Sequence, residues 1–473
     1  MSYESRPWLR SYDERVSADI DPELFETTLM DLFLLVFKDF PDKLSAHFLG
    51  VDMTFADLDK YSNQFANMLV ENGLEPGDVV GISLVNTPQY LITYIGVLKA
   101  GCVSTGLSPL FSEEELEYQL KDANAKAVVV VDAAFAARIK YIAEYLPNLK
   151  LIVATNLGDF LPAWKRILGK LLRKLPSGKV KSLPNKTVIK FMDILKNYST
   201  SFEIRKVNPD STCVLMYTGG TTGFPKGSIL TNRNVCSNII QMSTWLQLDR
   251  GKDVALSGFP FFHIAGLTFC NMCLYQGNTQ LLIPDPRDTK RICKELKKFS
   301  PSMLVNVPSL YQMLLKNPKF KIIDFSNLDF AISSASPFPV ESINELEDAI
   351  GKDKLIEVYG QTETSPLTIM NPRFGKKKLG KVGLPISNTQ IRLVNPASNQ
   401  DIPLGEAGEI IVKGPQVMKG YLNKPEENKK VFDKDGWFHT GDVAVMDEDG
   451  YFKIVDRVKD MIIVSGYKVY SSK

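Results

Sequence analysis

Two kinds of apolar segment alternate along the first 150 residues, and this alternation constrains the fold more than any other feature. Val79–Val85 and Ala127–Asp132 have the continuous apolar character of buried strands. Apolar residues at helical spacing follow Thr54, which can cap a helix. An apolar helix is predicted around Tyr90–Lys99, and another helix over Glu113–Asp122. Such alternation predicts α/β layers built on a mainly parallel sheet.

The pattern changes in the last quarter of the chain. Helix–strand alternation resumes after residue 200 and ends near residue 370, whereas short strand-like runs separated by Gly, Pro, Asn and Asp fill the stretch to Tyr451. These runs are Gln390–Val394, Gly408–Val412 and Tyr451–Val455. We predict a first α/β subdomain over residues 1–200, a second over 201–375 and a β-rich subdomain over 376–456.

Composition excludes several classes of protein. With 56 Lys and Arg against 54 Asp and Glu, the net charge of +2 predicts that the protein as a whole binds no nucleic acid. The six cysteines are scattered through a large chain, which is not the pattern of a disulfide framework. Residues 1–22 are polar and include no apolar signal-peptide core, so we expect a cytoplasmic protein.

One basic stretch stands apart from this balance. Residues 160–192 contain nine Lys or Arg and no acid, and apolar residues recur at helical spacing from Trp164 to Leu175. Two interpretations stay open: a peripheral helix packed on the core with a solvated basic face, or a helix that lies in an anionic membrane surface through residues 161–175. Gly169 and Pro176 limit this helix to about three turns.

The strongest local signal is the segment Tyr217–Gly227, with the sequence YTGGTTGFPKG. Glycines let backbone N–H groups approach an anion, while threonine hydroxyls and Lys226 add donors and positive charge. A strand-like run ends at Tyr217, which suits a loop that holds phosphates. It is not a Walker A loop, because Gly227 rather than Ser or Thr comes after the lysine.

A second polar cluster, EVYGQTETSP, spans Glu357–Pro366 and includes Glu363. A carboxylate near a phosphate loop is a natural Mg²⁺ ligand, although a solvated loop glutamate is the commoner case. Of the three histidines, His263 and His439 lie in polar or apolar turns, and the residues alone favour a structural role for each. The apolar C-x-x-C segment around Cys270 predicts buried thiols rather than a zinc or redox site.

Six motifs in order carry a family resemblance: YTGGTTGFPKG, FPFFHIAG, EVYGQTETSP, GEIIVKGPQVMKGYLN, GWFHTGD and DRVKDMIIVSGYKVY. Together they resemble the adenylate-forming superfamily of acyl-CoA synthetases, luciferases and peptide-synthetase adenylation domains, and most closely the medium- and long-chain fatty acid–CoA ligases. The resemblance runs from Met53 to the last residues. It implies that ATP activates a carboxylic acid to an acyl-adenylate with release of pyrophosphate, after which CoA displaces AMP.

The resemblance also implies roles for individual residues, with ATP, Mg²⁺ and the co-substrate CoA as the small molecules involved. The catalytic residues would be Lys226, His263, Glu363 and Arg457, and Thr218 and Glu363 would associate with the metal. The ATP-binding residues would be Thr218, Gly219, Gly220, Thr221, Thr222, Gly223, Lys226, Ser336, Tyr359, Gly360, Gln361, Thr362, Asp442 and Arg457, with Tyr359 stacked on adenine and Asp442 bonded to the ribose. We expect these groups to converge on one nucleotide.

The residues just after His263 narrow the choice of acid. Amino-acid-activating relatives place an aspartate there, whereas Ile264–Phe269 includes no acid, and a buried amine would be left without a partner. The substrate is therefore expected to lack an α-amino group and to be a fatty or other non-amino acid. The acyl pocket would include Phe262, His263, Leu267, Ser334 and Gly360. Ser334 and Ser336 are departures, since the family often has Gly or Ala in that loop.

The end of the sequence is the larger departure. The family continues into a small mobile C-terminal domain that carries a lysine needed for adenylation, and its hinge position matches Lys459. We expect residues 457–473 to be the hinge and the start of that domain. Truncation and a natural short form both stay open.

Three functional alternatives stay open beside the fatty acid–CoA ligase. The first is an aryl or other carboxylic acid–CoA ligase. The second is a nucleotide- or acyl-binding protein without full catalysis, and the third is a phosphotransferase that forms ADP instead of AMP. The sequence leaves the oligomeric state open, a homodimer included.

Overall fold

A computed structural model describes residues 3–172, 175–218, 224–458, 462–464 and 467–469. The strands, in chain order, are β1 Leu44–Phe48, β2 Val51–Thr54, β3 Val79–Ser83, β4 Val103–Gly106, β5 Ala127–Val131, β6 Leu151–Thr155, β7 Thr187–Lys190, β8 Thr212–Thr218, β9 Lys226–Thr231, β10 Val254–Ser257, β11 Thr279–Leu282, β12 Met303–Asn306, β13 Phe330–Ser333, β14 Leu355–Gly360, β15 Leu367–Met370, β16 Leu384–Pro385, β17 Gln390–Val394, β18 Ala407–Lys413, β19 Gly420–Tyr421, β20 Phe438–Met446, β21 Phe452–Arg457, β22 Ile462–Val464 and β23 Tyr467–Val469. The helices are α1 Leu29–Asp39, α2 Phe55–Glu71, α3 Pro88–Lys99, α4 Glu113–Asp122, α5 Asp132–Ala134, α6 Lys140–Ile142, α7 Ala163–Leu171, α8 Phe191–Asn197, α9 Asn232–Leu246, α10 Ile264–Gln276, α11 Thr289–Phe299, α12 Pro308–Leu315, α13 Val340–Ile350 and α14 Pro425–Val431.

The chain forms two compact units, each assembled from separated segments. One unit contains Thr27–Arg233 and Arg250–Pro286, and we call it the hairpin unit. The other contains Met1–Glu26, Asn234–Asp249 and Arg287–Lys473, and we call it the carboxylate unit. The subdomain boundaries predicted at residues 200, 375 and 456 follow chain order and remain a prediction, as does the hinge over 457–473.

The hairpin unit is built on a mainly parallel sheet, as the alternation of helix and strand predicts. Its strands lie in the order β9-β8-β4-β3-β5-β6-β7, and only the β8–β9 pair among them is antiparallel. A second group in this unit has the order β10-β11-β1-β2. Every residue of α3, which connects two parallel strands, is buried. This burial is typical of a parallel sheet covered by helices.

The carboxylate unit combines two kinds of sheet. The strands β12, β13 and β14 are parallel neighbours, and β15 and β16 extend them in antiparallel fashion. The separate antiparallel sheet β17-β18-β20-β21 contains the three strand-like runs predicted in the β-rich stretch. The predicted fold class, α/β layers with a β-rich part, is confirmed.

Local signals explain why several elements begin where the sequence predicts. Thr54 caps α2 through a reciprocal pair of bonds with Asp57, and Ser112 caps α4 in the same way with Glu115. After α2 ends, Gly73 adopts a left-handed φ of 80°, a conformation that glycine reaches without steric cost. Helix α7 ends at Leu171, earlier than the predicted apolar stripe.

The cysteines and the membrane question have clear outcomes within the described residues. All six thiols are buried and unbridged, and Cys270 and Cys273 lie inside the buried helix α10, as predicted. Among the described residues, no group of His, Cys, Asp and Glu side chains has the arrangement of a metal centre. Within the same residues, no helix has both the length and the apolar character that crossing a bilayer requires.

Candidate active site

The glycine-rich segment of the hairpin unit connects two paired strands. Thr218 at the end of β8 lies opposite Lys226 at the start of β9 in an antiparallel register. Both residues are half-buried. The predicted phosphate-loop residues Gly219, Gly220, Thr221, Thr222 and Gly223 lie outside the described residues. The loop is therefore defined by its two ends, which the ladder holds next to each other.

Helix α4 fixes both ends of this loop. The Tyr217 hydroxyl donates to Asp122 Oδ2 at 2.7 Å, and the Tyr118 hydroxyl donates to the Pro225 carbonyl at 3.0 Å. The rings of Tyr118 and Phe224 stack with their centroids 4.7 Å apart. Burial, with the Asp122 carboxylate as a smaller cause, raises the pKa of Tyr217 far above its ordinary value, so it remains a donor. Sequence reasoning missed these α4 residues because their contacts are tertiary.

His263 lies in the turn between β10 and α10, and that turn is firmly held. Asn86 donates to the Phe259 carbonyl at 2.9 Å and accepts the N–H of Phe261 at 2.9 Å. The Tyr90 hydroxyl donates to the Phe261 carbonyl at 2.8 Å. A Cβ added at Gly266 would lie 2.1 Å from the Pro260 carbonyl oxygen, so only glycine fits there. These contacts make the backbone around His263 rigid.

The imidazole of His263 has a mixed environment. Its side chain reaches solvent, yet it is surrounded by enough protein atoms that partial desolvation lowers its pKa. The Phe262 ring centroid lies 5.1 Å from that of His263, and Leu267, the third acyl-pocket residue predicted in this unit, is buried. His263 is therefore neutral at neutral pH and can donate or accept a hydrogen bond without adding charge.

The carboxylate unit brings four predicted nucleotide-binding residues together, with Asp442 at the centre of the other three. Tyr359 donates its hydroxyl to Asp442 Oδ2 at 2.8 Å, and Gln361 Nε2 donates to the same oxygen at 2.5 Å. Arg457 Nε lies 3.2 Å from Oδ1. Asp442 itself is buried, whereas Tyr359 and Gln361 are half-buried. We call these four residues the Asp442 cluster.

The backbone explains why β14 ends at this cluster. A Cβ added at Gly360 would lie 1.9 Å from the Pro366 carbonyl oxygen, so the close approach of the two segments requires glycine. The predicted Thr362 lies half-buried in the short 3₁₀ turn Thr362–Thr364 that comes next. On the other side of the cluster, the N–H of Asp442 donates to Thr440 Oγ1 at 3.1 Å and fixes the local backbone.

Glu363, the predicted metal residue of this unit, has its own partners. Its Oε1 accepts the Tyr421 hydroxyl at 2.7 Å, and its carbonyl accepts the N–H of Met418 at 2.8 Å. Both Glu363 and Tyr421 are buried. Tyr421 belongs to the motif GEIIVKGPQVMKGYLN, but no pattern in that motif assigns it a role. Its hydroxyl fixes one carboxylate oxygen of Glu363.

Two further ionisable groups of this unit lie on β14 and β20, the strands that also carry Tyr359 and Asp442. Burial raises the pKa of Glu357 to about 7, while the Gly380 N–H, 2.9 Å from Oε2, opposes this effect. His439 Nδ1 lies 3.1 Å from Glu409 Oε2, and this bond is the main reason that the pKa of His439 is raised. Glu409 also accepts the Gly441 N–H at 3.1 Å. The pair thus supports the turn before Asp442, in keeping with the predicted structural role of His439.

The remaining predicted residues are less informative. Ser334 is half-buried and Ser336 is exposed, and Ala335 between them adopts a left-handed φ of 74°. Lys459, the predicted hinge, lies outside the described residues. The structure therefore brings the predicted residues around Asp442 together in one unit and places the two ends of the glycine-rich segment side by side in the other.

Comparison with known proteins identifies the family. The model of the AMP-binding enzyme family matches residues 36–422. The chain is 38% identical to a long-chain-fatty-acid–CoA ligase of Bacillus subtilis over 98% of its own length and 82% of that protein. It is 31% identical to a feruloyl-CoA synthase of an Amycolatopsis species, over 90% of this chain and 77% of the relative.

Solved structures give the same result. Apo MatB from Rhodopseudomonas palustris is 28% identical and superposes with a TM-score of 0.80 over 94% of this chain and 82% of its own. The anthranilate CoA ligase AuaEII in complex with anthranoyl-AMP, 23% identical, shares the fold with a TM-score of 0.83 over 94% of this chain and 81% of its own. The resemblance to adenylate-forming enzymes is confirmed, and the chain belongs to the AMP-binding enzyme family.

Proposed function

We propose that this protein is an AMP-forming fatty acid–CoA ligase. A carboxylate oxygen of the acid attacks the α-phosphorus of ATP, the bond to the β-phosphate oxygen breaks, and pyrophosphate leaves. The CoA thiol then attacks the acyl carbon, the bond to AMP breaks, and the thiol proton is released. The Asp442 cluster is the observation that carries the proposal, because its acceptor oxygens and half-buried aromatic ring suit an adenosine.

The Asp442 cluster supports specific roles for its members. A carboxylate oxygen offers about two acceptor positions, and Oδ2 of Asp442 already accepts from Tyr359 and Gln361. Ribose hydroxyls would therefore bond mainly to Oδ1, in competition with Arg457 at 3.2 Å. The bond to Asp442 orients the Tyr359 ring, so that its face can stack on adenine. Arg457 would turn toward the nucleotide as the ribose binds.

The hairpin unit would bind the triphosphate. Thr218 and Lys226 mark the two ends of the glycine-rich loop, and the lysine places positive charge where pyrophosphate leaves. Stabilising a leaving group that gains negative charge accelerates the reaction only if the donors are already positioned. The bonds from Tyr217 and Tyr118 supply this rigidity at both ends of the loop.

The donor set fits the Mg²⁺ that the family resemblance implies. Glu363 would offer this ion a carboxylate oxygen and Thr218 a hydroxyl oxygen, each from its own unit, and hard oxygen donors that share a shell with substrate phosphates suit Mg²⁺. When bound, the ion offsets the charge repulsion between the acid and the triphosphate. The hydroxyl of Tyr421 holds Glu363 Oε1 and so limits the carboxylate to one orientation.

The acyl side favours an apolar acid. Helix α10, which begins directly after His263, is buried along almost its whole length and carries no acidic residue. A neutral His263 would donate one hydrogen bond to the substrate carboxylate without forming an ion pair, so the carboxylate stays nucleophilic. Each buried CH₂ of the chain adds about 0.8 kcal/mol to binding, so preference should follow pocket depth.

An assay of products against acid length tests this proposal. The 473-residue chain, alone and fused to a C-terminal domain taken from a relative, is incubated with ATP, Mg²⁺, CoA and straight-chain acids of increasing length. Mass spectrometry should detect AMP, acyl-AMP and acyl-CoA, with a maximum at one chain length. Formation of ADP would overturn the proposal in favour of a phosphotransferase. Binding of ATP without any AMP from either version would indicate a binding protein.

An aryl acid is the second candidate substrate. The observation that favours it is the identity of 31% to a feruloyl-CoA synthase. A parallel series of cinnamic and benzoic acids decides between the candidates. A kcat/KM that is highest for an aryl acid would select the aryl acid–CoA ligase, and a rise with alkyl length would select the fatty acid enzyme.

We place this activity in the cytoplasm, in peripheral contact with a membrane. Long-chain acids partition into bilayers, whereas ATP and CoA are water-soluble, so the reaction draws its substrates from both phases.

Light scattering of the purified chain tests whether it forms a homodimer.

A further inference from the structure

We infer that α7 and the adjoining Leu172 form a docking surface for an anionic lipid bilayer. Five large apolar side chains on and beside α7 are exposed to solvent: Trp164 by 63%, Ile167 by 66%, Leu168 by 46%, Leu171 by 77% and Leu172 by 55%. We call these five residues the helix surface. At 100° per residue they occupy one side of the helix, so they form a contiguous apolar patch rather than isolated exposures.

The exposure of this patch decides between the two interpretations of the basic stretch. A helix packed on the core would bury its apolar stripe and solvate its basic side. Here the stripe faces solvent, while Lys165 Nζ donates to the Leu49 carbonyl at 3.0 Å and so attaches the other part of the helix to the β1–β2 turn. The helix is therefore mounted through a polar contact, with its apolar side outward.

Both ends of the segment are anchored in the hairpin unit. Before α7, the Phe160 ring contacts Tyr61 and Phe191, with ring centroids 5.9 Å and 6.3 Å apart. After α7, Asn156 Nδ2 donates to the Pro176 carbonyl at 3.0 Å. The Leu175 side chain folds back on Gly169, where a Cβ would lie 2.6 Å from its Cδ1. These contacts hold the helix surface in a fixed position on the hairpin unit.

Charge identifies the occupant. Residues 160–192 contain nine Lys or Arg and no acid, in a protein whose net charge is only +2. A basic segment that carries an exposed apolar stripe with a tryptophan matches a bilayer interface with anionic headgroups. No described helix is long and apolar enough to cross the bilayer, so the segment would lie in the interface plane. The inference deepens the membrane contact proposed above by assigning it to one surface, and it does not depend on the ligase activity.

Vesicle binding tests the inference directly. The wild-type chain should co-sediment with phosphatidylcholine vesicles that contain about 30 mol% phosphatidylglycerol, and roughly tenfold less well with phosphatidylcholine alone. The double variant Ile167→Gln, Leu171→Gln should bind the anionic vesicles roughly tenfold more weakly than wild type. A matched control is Ile322→Gln, which replaces an isoleucine that is 83% exposed elsewhere and should bind as wild type does.

Tryptophan emission provides a second readout that needs no destabilising change. Trp8 and Trp245 are buried and Trp437 is half-buried, so Trp164 should dominate any change when vesicles are added. The emission of the wild type should shift to shorter wavelength with anionic vesicles, and Trp164→Phe should abolish the shift. ATP binding by each variant, measured by calorimetry, should equal that of wild type, which separates this result from any failure of the ligase proposal.

Three outcomes would overturn the inference. The first is an unchanged Trp164 emission with anionic vesicles, and the second is equal vesicle binding by wild type and the double variant. The third is a wild-type chain that ignores vesicles but self-associates in light scattering, with the association lost in the double variant. That result would assign the helix surface to a second copy of the chain.

Discussion

The Asp442 cluster and the helix surface represent opposite ways of preparing a surface for a partner. Around Asp442, a buried carboxylate is bonded to Tyr359, Gln361 and Arg457, so each side chain is oriented before a ligand arrives. At the helix surface, the backbone is anchored but the five apolar side chains remain exposed. The first arrangement suits recognition of one small molecule, and the second suits a fluid, extended partner.

The largest expected effect is the loss of the Asp442 cluster. Asp442→Ala removes the acceptor of three described donors and the proposed ribose contact, so kcat/KM should fall about 1,000-fold, equivalent to roughly 4 kcal/mol. Calorimetry should show a matching loss of ATP affinity. The control Asp401→Ala breaks an ion pair with Arg392 in the same unit, where the carboxylate is 42% exposed, and should leave ATP affinity near that of wild type. Equal ATP affinity for Asp442→Ala and wild type would show that the Asp442 cluster does not bind ATP.

The buried carboxyl group of Glu357 differs from that of Asp442 in its expected effect, which is on stability rather than on ATP binding. The pKa of Glu357 is raised to about 7, so the folded protein keeps a proton that the unfolded chain releases above its ordinary pKa of about 4.3. The free energy of unfolding of wild type should therefore fall as pH rises through this window, by up to about 3 kcal/mol. Glu357→Gln should flatten the decline.

Urea unfolding at several pH values between about 5 and 8 measures this effect. Glu345→Gln serves as the control, because Glu345 is 55% exposed in a surface pair with Lys321. Parallel pH profiles for wild type and Glu357→Gln would show that the carboxyl is ionised in the folded protein throughout the range.

The bond from Tyr421 to Glu363 predicts a smaller effect on metal use. Tyr421→Phe removes a hydroxyl 2.7 Å from Glu363 Oε1 and with it one bond that orients the carboxylate, so roughly fivefold more Mg²⁺ should be needed for half-maximal rate, or about 1 kcal/mol. Tyr3→Phe, which loses a bond to the Ile402 carbonyl in the same unit, should not change the Mg²⁺ requirement. If the two variants respond alike to Mg²⁺, the role assigned to Tyr421 is wrong.

The smallest expected effect concerns stability at the helix surface. Ile167→Gln, Leu171→Gln changes exposed side chains, so the free energy of unfolding without vesicles should stay within about 0.5 kcal/mol of wild type. Ile410→Gln, in the buried β18, should cost about 3 kcal/mol or more. A large loss in the double variant would mean that the helix surface packs against other parts of the protein.

Local signals in the sequence predicted most of the fold. Helix α4 has the predicted bounds because Ser112 caps its first turn. Strand β17 has the predicted bounds because asparagine-containing turns lie directly before and after it. The grouping of separated chain segments into two units had no such signal, since compactness depends on contacts between residues distant in sequence.

In the candidate site too, local motifs could be predicted from the sequence and contacts between distant residues could not. Motifs identified Tyr359, Asp442 and Arg457, and the structure brings them together. The residues that hold the motifs, such as Asn86 and Tyr421, could not be predicted because their bonds cross long stretches of chain. The apolar and basic pattern of α7 was visible in the sequence, but its outward orientation required the structure.

The central claim, that the acid attacks the α-phosphorus of ATP, is tested most directly by isotope transfer. Acid labelled with ¹⁸O in its carboxylate is incubated with ATP, Mg²⁺, CoA and the chain, alone and fused to a C-terminal domain taken from a relative. The account predicts that each AMP formed carries one ¹⁸O from the acid and that the acyl-CoA retains the other. Unlabelled AMP, or label in ADP or free phosphate, would contradict acyl-adenylate formation.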